Sequence, residues 1–334
     1  MNRSSVALAI LAMSASAGHS EDYYKGRIVN IVVGYEPGGG YDNYARLLSR
    51  HLGKHVVGRP SIVVQNMPGA ASLVAANYTY NVAPKDGTVI AAVDQNIGLF
   101  QMLGGSGIQY DLSKVAWLGS LSVSNGVLAT WHASGLKNLA DLKTKEVVAG
   151  STGPKDDTAL YGRILNEIIG TRIKIVQGYN GTAAVSLAIE RGEVEAVGRT
   201  YYGFLSQKPD WIRDKMITFQ VQFGYRRQAE LPDVPLLTEL ASSEAARQIA
   251  EIVSLPTGIG YAHWVAPEAP SARLELLRLA YTAAIKDPEL LADAKKMGAI
   301  LSPRTPAELA TVVASAANIP VGVRQKVGSI LQWD

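Results

Sequence analysis

The sequence lacks cysteine and carries little net charge. None of its 334 residues is Cys, which excludes disulfides, iron–sulfur clusters, thiolate zinc sites and cysteine nucleophiles. Charged residues are 18% of the chain, and 32 Lys and Arg against 29 Asp and Glu leave a formal net charge of only +3. That balance does not favour a nucleic-acid partner. Phe is scarce at 4 while Tyr numbers 15, so most aromatic surface carries a hydroxyl.

Long hydrophobic runs are also missing, apart from a short one at the start. Residues 6–13 (VALAILAM) follow Arg3 and precede the small residues 15–17 (ASA). This order is typical of a secretory signal peptide, and the run is too short to span a bilayer, which needs about 20 apolar residues. We predict a signal peptide over residues 1–17 and an exported protein, the alternative being a buried N-terminal helix.

The chain length suggests two domains, at roughly 150 residues per domain. Strand-like and helix-like segments alternate over residues 28–93 and again over 147–197, and the C-terminal part is mostly helical. Such alternation predicts an α/β fold with largely parallel sheets. We predict a bilobed protein with a ligand cleft. Residues 21–122 and 262–334 form the first lobe, 123–261 form the second, and the chain crosses near 121–129 and 255–264.

A glycine-rich loop joins the first predicted strand to the first predicted helix. It spans residues 36–42 (EPGGGYD), with Asp42 where a helix N-cap is expected. Glycine lets a ligand approach the backbone, and a helix N-terminus attracts anions. The loop lacks the Gly-Lys-Ser/Thr of a P-loop and the third glycine of a dinucleotide motif. It is therefore either a tight turn or an anion site formed by Gly38, Gly39, Gly40, Tyr41 and Asp42.

Three further loops follow strands in the same way. Ligands of open α/β sheets bind at the carboxyl ends of strands, so loops of both lobes are expected to face one cleft. Arg199, predicted just after a strand, is the best candidate for a bidentate carboxylate partner, unless it is solvated or faces the hinge. Asp157 or Thr158 is expected to be the N-cap of the helix that follows the loop at residues 151–153. The other candidate ligand-binding residues are Asn66, Gly69, Ala70, Thr152, Gly153, Tyr179, Asn180, Gly181 and Thr182.

Four tyrosines flank these loops: Tyr35, Tyr41, Tyr201 and Tyr202. A tyrosine offers a flat apolar face and a hydroxyl, which suits an aromatic or medium-length organic acid. Packing between the lobes explains them equally well.

Catalytic and metal motifs are incomplete in this sequence. His51 and His55 have metal-site spacing but lack the glutamate of H-E-x-x-H, and Ser134–Lys137 (SGLK) lacks its K-T-G companion. We predict a non-enzymatic protein without a metal site or a cofactor.

Several short motifs resemble those of one receptor family. Residues 37–42 (PGGGYD) resemble the P-G-G-x-x-D signature of the substrate-binding receptors of tripartite tricarboxylate transporters, the Bug family. Other segments resemble the family's N-x-P-G-A, P-D-G-x-T, Y-K-G and D-V-P-T-L-x-E elements. They are residues 66–70 (NMPGA), 83–88 (APKDGT, with one insertion), 179–181 (YNG) and 233–239 (DVPLLTE).

The resemblance implies a periplasmic-binding-protein architecture and a periplasmic location. It implies a receptor that closes on a small organic acid and delivers it to membrane permease subunits. We expect this acid to be a di- or tricarboxylate or an aromatic acid, the protein to be a monomer, and no nucleic acid among its partners. The family's carboxylate site carries over to Gly38, Gly39, Asp42 and residues 66–70, and its second-lobe loops to 152–153 and 179–182. Residues 152–157 (TGPKDD) and 198–202 (GRTYY) depart from the family pattern, so the identity of the ligand does not follow from the resemblance.

Two other functions use the same cleft. One is a sensory receptor that presents its bound carboxylate to a two-component histidine kinase. The other is a periplasmic hydrolase or lyase that uses Asp42 and Arg199.

Overall fold

Two five-stranded sheets organise the described residues, 23–104, 107–316 and 319–332, of this computed structural model. The predicted signal peptide lies outside them. In chain order the strands are β1 (Ile28–Val33), β2 (Ser61–Asn66), β3 (Val89–Ala92), β4 (Ala116–Ser120), β5 (Gly126–Trp131), β6 (Val147–Ser151), β7 (Ile173–Gln177), β8 (Ala196–Thr200), β9 (Ile217–Phe223) and β10 (Ala262–Val265).

Helices connect these strands and cover the sheets. They are α1 (Gly40–Leu52), α2 (Leu73–Asn77), α3 (Ile97–Leu103), α4 (Leu139–Thr144), α5 (Asp157–Ile169), α6 (Gly181–Glu190), α7 (Tyr201–Gln207), α8 (Pro209–Arg213), α9 (Leu237–Leu240), α10 (Glu244–Ser254), α11 (Ser271–Ala284), α12 (Pro288–Lys296), α13 (Pro306–Ala316) and α14 (Val321–Leu331).

Each sheet combines parallel and antiparallel strands. The first has the order β2-β1-β3-β10-β4, with β1 parallel to both neighbours and β10 antiparallel to its own. The second has the order β7-β6-β8-β5-β9, with β5 antiparallel to β8 and β9. The β-branched sequence of β1 suits a central strand that is buried on both faces. Because β1 and β3 run parallel, the loops after them meet at one sheet edge.

The chain crosses between the sheets at residues 121–125 and 255–261, and the two crossings lie side by side. Tyr261 N–H donates to Ser122 O at 2.8 Å, and Leu121 N–H donates to Tyr261 O at 3.1 Å. Gly260 has a φ of +60°, and a Cβ there would lie 2.1 Å from Ser122 O. This approach of two backbones needs glycine and marks the hinge between the lobes.

The C-terminal helices reach both lobes. Helix α12 packs on α1 and α13 packs on β4, whereas α14 contacts α3 of the first lobe and α5 and α10 of the second. Arg163 Nη1 donates to Leu331 O at 2.6 Å, and Lys326 pairs with Glu167 at 2.6 Å. The last helix therefore ties the lobes together, although the sequence analysis assigned it to the first.

No single helix among the described residues is long and apolar enough to cross a membrane. Helices α13 and α14 meet that test only as a pair, with a 94° bend between them.

Most predicted elements are present, with shifted boundaries. The strand predicted at 194–197 is β8, Ala196–Thr200, so Arg199 lies inside the strand and not after it. The helix predicted near Ala70 begins at Leu73, because a left-handed segment precedes it. Strands β4, β5, β9 and β10 were not predicted. Most of β5 and β10 was assigned to the crossings near 121–129 and 255–264, and the alternation of apolar and polar residues in β9 (ITFQVQF) was missed.

Candidate ligand-binding cleft

The glycine loop of the first lobe is closed by Asp42. Helix α1 begins at Gly40, so Asp42 is not its N-cap as predicted but lies in the first turn. Its carboxylate accepts from Gly38 N–H at 2.9 Å, from Arg46 Nε at 2.8 Å and from Asn66 Nδ2 at 2.9 Å. Burial would raise the pKa of Asp42, but these hydrogen bonds outweigh it and hold the pKa below its usual value. Asp42 and Asn66 thus hold the loop in shape.

The remaining glycines face the second lobe. A Cβ on Gly39 would lie 3.7 Å from Gln207 Nε2, and one on Gly40 would lie 3.0 Å from Tyr261 Oη. A Cβ at Gly39 would make an ordinary van der Waals contact, whereas one at Gly40 would require a small shift of the Tyr261 hydroxyl. The loop is therefore small where the lobes approach each other.

The second predicted loop of the first lobe holds an unusual backbone. Gly69 has a φ of +138°, and Ala70, Ala71 and Ser72 have φ values of +47°, +52° and +71°. Ser72 Oγ donates to Gly34 O at 3.1 Å, which ties this segment to the end of β1. A left-handed conformation costs a non-glycine residue about 1–2 kcal/mol, and such strain concentrates at ligand loops.

We expect Ala70→Gly to change the free energy of unfolding by about 0 to +1 kcal/mol, because relief of left-handed strain offsets the added freedom of the unfolded chain. Ala310→Gly, at an exposed position inside α13, should instead lose about 1 kcal/mol. Urea unfolding of both variants measures the difference. Equal losses would contradict the strain at Ala70.

The loop after β6 positions an acidic side chain. Thr152 N–H donates to Thr158 Oγ1 at 3.1 Å, and Gly153 N–H donates to Ser151 Oγ at 3.2 Å. Asp156 is the N-cap of α5, so neither Asp157 nor Thr158 is the cap as predicted. The Asp156 side chain accepts from Thr152 Oγ1 instead of capping the helix. Thr152 thus turns the Asp156 carboxylate away from the helix.

The loop after β7 stays within the second lobe. Tyr179 N–H donates to Ser151 O at 3.3 Å, and Gly181 N–H donates to Tyr179 O at 3.0 Å. Asn180 is the N-cap of α6 but makes no side-chain capping bond. Thr182, the next predicted residue, contacts Gln207.

Arg199 is a buried cation without a described acidic partner. Its side chain is 5% exposed, and its guanidinium carbon lies 4.0 Å over the Phe204 ring. It donates to Gln207 Oε1 and, at 3.3 Å, to Ser186 Oγ, while its Nε has no partner among the described residues. Burial lowers the pKa of Arg199 to about 9. An anion placed near a buried guanidinium that has no acidic partner lowers the free energy of the charged group.

Gln207 joins Arg199 to the first lobe. Its Nε2 donates to Gly38 O at 3.1 Å and to Thr182 Oγ1 at 2.9 Å, while its Oε1 accepts from Arg199. The structure thus brings Gly38, Thr182 and Arg199 together around one amide. No motif in the sequence singled out Gln207, which lies at the end of a short helix.

Three tyrosines form a row between the lobes. The Tyr35 and Tyr41 rings stack at 5.2 Å, and the Tyr41 and Tyr261 rings lie 5.0 Å apart. Tyr261 Oη shares a hydrogen bond with Thr200 Oγ1 at 2.8 Å. Tyr35 and Tyr41 therefore lie where the sequence analysis placed them, and Tyr261 was missed.

Tyr201 and Tyr202 are packed inside the second lobe. They are 4% and 3% exposed, and Tyr202 Oη accepts from Gln228 Nε2 at 2.6 Å. For these two residues packing is the better explanation.

Three carboxylates, Asp94, Asp156 and Asp157, meet at the other end of the tyrosine row, and we call them the acidic group. Tyr35 Oη donates to Asp94 and lies 3.4 Å from Asp156 Oδ1 of the other lobe. Asn96 Nδ2 donates across the lobes to Asp157. Burial raises the pKa of all three, for Asp94 to about 6. Among the described residues none of the three forms an ion pair. Asp94 and Asn96 were missed because they belong to no motif.

A separate cavity of about 990 Å³ lies behind the first sheet. It is bounded by α3, β4 and α13 and is lined by residues such as Leu112, Trp117 and Val312. None of the predicted binding residues lines it. We assign the candidate site to the cleft, where polar groups of both lobes converge.

A cluster on the first lobe could in principle hold a metal. Ligand atoms of His51, Asp287 and Glu289 lie within 4.8 Å of one another. Lys54 Nζ, however, lies 2.6 Å from Asp287 and 2.5 Å from Glu289. This ammonium already forms ion pairs with both carboxylates.

Comparisons with known proteins identify the fold. No protein-family model and no curated protein sequence matches the chain. Solved structures match almost throughout. MatC (Rpa3494) from Rhodopseudomonas palustris with bound malate has a TM-score of 0.66 and 20% identity over 90% of this chain and 98% of its own. Rpa4515 from R. palustris with adipate has a TM-score of 0.69 and 20% identity over 92% and 97%.

The periplasmic binding protein BugD has a TM-score of 0.68 and 18% identity over 92% of this chain and 99% of its own. These TM-scores show that the chain shares its fold with the three proteins, among them BugD of the receptor type that its motifs resemble. The prediction of a bilobed periplasmic-binding-protein architecture with two α/β lobes is confirmed.

Proposed function

We propose that this chain is a periplasmic solute-binding receptor of the tripartite tricarboxylate transporter type, a member of the Bug family. It captures a small organic acid between its lobes and delivers it to membrane permease subunits, and it acts as a monomer. The shared fold and the ordered motifs support the family. The structural neighbours MatC and Rpa4515, with malate and adipate, support a carboxylate ligand.

The main support for the proposal is the environment of Arg199. Its buried guanidinium has no acidic partner among the described residues, and Gln207 connects it to the glycine loop of the other lobe. A carboxylate bound between Arg199 and the N-terminus of α1 would supply the missing negative charge. Because it would contact both lobes, it would favour the closed form that a permease can recognise.

Binding rather than catalysis fits the cleft groups. In the described cleft no serine or threonine hydroxyl pairs with a histidine. Asp42, the candidate acid of a hydrolase or lyase, is occupied by Gly38, Arg46 and Asn66. We also propose the lobe boundaries of the sequence analysis, 21–122 with 262–334 and 123–261, with α14 touching both lobes.

A thermal-shift screen tests the proposal. An acid present at 100 times its dissociation constant should stabilise the protein by about 2.7 kcal/mol. The screen includes malate, succinate, glutarate, adipate and benzoate. Arg199→Met should abolish the shift, whereas Arg213→Met, at an exposed position of α8, should retain it.

Delivery is tested by uptake of the best acid into cells that lack this chain. Uptake should return with the wild-type gene and fail with Arg199→Met. If no acid raises the melting temperature, the proposed function is wrong. An acid that binds without any effect on uptake would favour the sensory receptor.

A further inference from the structure

The two ends of the tyrosine row have opposite character. At one end Tyr261 lies against Gly40 of the glycine loop, and the same loop contacts Gln207, the hydrogen-bond partner of the buried Arg199. At the other end Tyr35 donates to Asp94 and approaches Asp156. The cleft thus has a cationic end and an acidic end, separated by three aromatic rings.

Both lobes contribute carboxylates to the acidic end, and their negative charge is not balanced by a described cation. Asp94 comes from the first lobe and is 2% exposed, and Asp157 comes from the second and is 8% exposed. The described hydrogen-bond donors to Asp94, Asp156 and Asp157 are neutral groups of tyrosine, asparagine and threonine residues and of the backbone. Buried carboxylates without a cation are costly.

An unsatisfied amide lies at the same end. Gln95 is 1% exposed, and its side-chain oxygen has no hydrogen-bond partner among the described residues. Its backbone N–H donates to Tyr41 Oη at 2.8 Å. Burial and the nearby Asp157 carboxylate raise the pKa of the Tyr161 phenol, whereas a hydrogen bond from the Gln95 side chain lowers it, so Gln95, Tyr161 and Asp157 are neighbours. The Gln95 oxygen can accept a hydrogen bond from a ligand bound beside the carboxylates.

We propose that the acidic group and Gln95 form a subsite for a cationic nitrogen, so that the ligand is an amino acid whose carboxylate lies at the Arg199 end. This inference rests on the proposed function and narrows its ligand class. An ammonium group donates three hydrogen bonds, which matches carboxylates presented from two lobes together with an amide oxygen. The aromatic rings between the ends accommodate an apolar spacer.

Calorimetry with matched ligand pairs tests the inference on the full chain. The pairs are succinate and 4-aminobutanoate, glutarate and 5-aminopentanoate, and adipate and 6-aminohexanoate, with L-glutamate as an α-amino acid. We expect the best amino acid to bind at least about tenfold more tightly than its dicarboxylate match, as a charge-assisted hydrogen bond implies.

Two variants identify the subsite. Asp157→Asn can still accept from Asn96 through its amide oxygen, and Asp94→Asn can still accept from Tyr35. Each should abolish the preference for the amino acid. Glu275→Gln, at an exposed position of α11, should leave it unchanged.

Each outcome decides between explanations. Loss of the preference in both variants supports the subsite. Dicarboxylates that bind as tightly as their amino matches overturn it while leaving the proposed function intact. A preference retained in both variants overturns the assignment to these residues. Stabilisation by Mg²⁺ or Ca²⁺ alone, lost in Asp157→Asn, would show an inorganic cation site instead. If no compound of either class binds, the proposed function fails as well.

Discussion

The buried Asp94 carboxylate is expected to destabilise the ligand-free protein increasingly as the pH rises from 4 to 7.5. Burial raises the pKa of Asp94 to about 6 in the folded state, well above the 3.8 of an exposed aspartate. Between these two values the folded protein binds more protons than the unfolded chain, so its free energy of unfolding falls with rising pH. About two pKa units correspond to about 3 kcal/mol over the whole window, of which about half is lost below pH 5.

Asp94→Asn should remove most of this dependence. At pH 7.5 the variant should be up to about 3 kcal/mol more stable than the wild type, and near pH 4 the two should be similar. Asp156, Asp157, Tyr35 and Tyr41 face the same carboxylate, so the size of the effect depends on the whole group.

Urea unfolding of the wild type and of Asp94→Asn at pH 4, 5, 6 and 7.5 measures the effect, with Glu275→Gln as the control at an exposed acidic position. Acids whose pKa is lowered, such as Asp42 and Asp86, lose their contribution only below this range. Burial lowers the pKa of His263 to about 3, which makes stability rise with pH, but this contribution is common to the wild type and the variant. An Asp94→Asn variant whose stability follows that of the wild type at every pH would contradict the uncompensated burial of Asp94.

Gly260→Ala should be among the most destabilising single substitutions. The added Cβ would lie 2.1 Å from Ser122 O and 2.8 Å from Val123 Cα, and the φ of +60° is itself unfavourable for alanine. Both neighbours are backbone of the other crossing, so no side chain can rotate away. We expect a loss of about 2–4 kcal/mol in the free energy of unfolding.

Gly192→Ala provides the matched control for backbone strain. Its φ is +73°, and a Cβ there would meet nothing within 4 Å. It should lose only about 1 kcal/mol, and it should leave ligand affinity unchanged. Denaturant unfolding and calorimetry with the best acid separate the two variants. Equal losses would mean that the two crossings are not held together as the structure shows.

The ligand loops illustrate how far local sequence reaches. Glycines at residues 38–40 and the proline-glycine pair at 68–69 predicted breaks between strand and helix, and the breaks are there. The orientation of Asp42 was not predictable, because it depends on Asn66, which lies 24 residues away and reaches the loop only when β1 and β2 pair. The same holds for Arg199, whose burial depends on Phe204 and on the end of α7.

The sequence by itself determined the alternation of strands and helices, the positions of the glycine loops and the absence of cysteine chemistry, because these follow from local patterns of residues. Tertiary structure alone decided which polar groups share the cleft. Gln207, Asp94 and Tyr261 belong to no motif and become neighbours of the loops only when the chain is folded and the two lobes are in contact. Charge compensation is a property of such neighbours. Both the unpaired guanidinium and the acidic group therefore became apparent only in the folded protein.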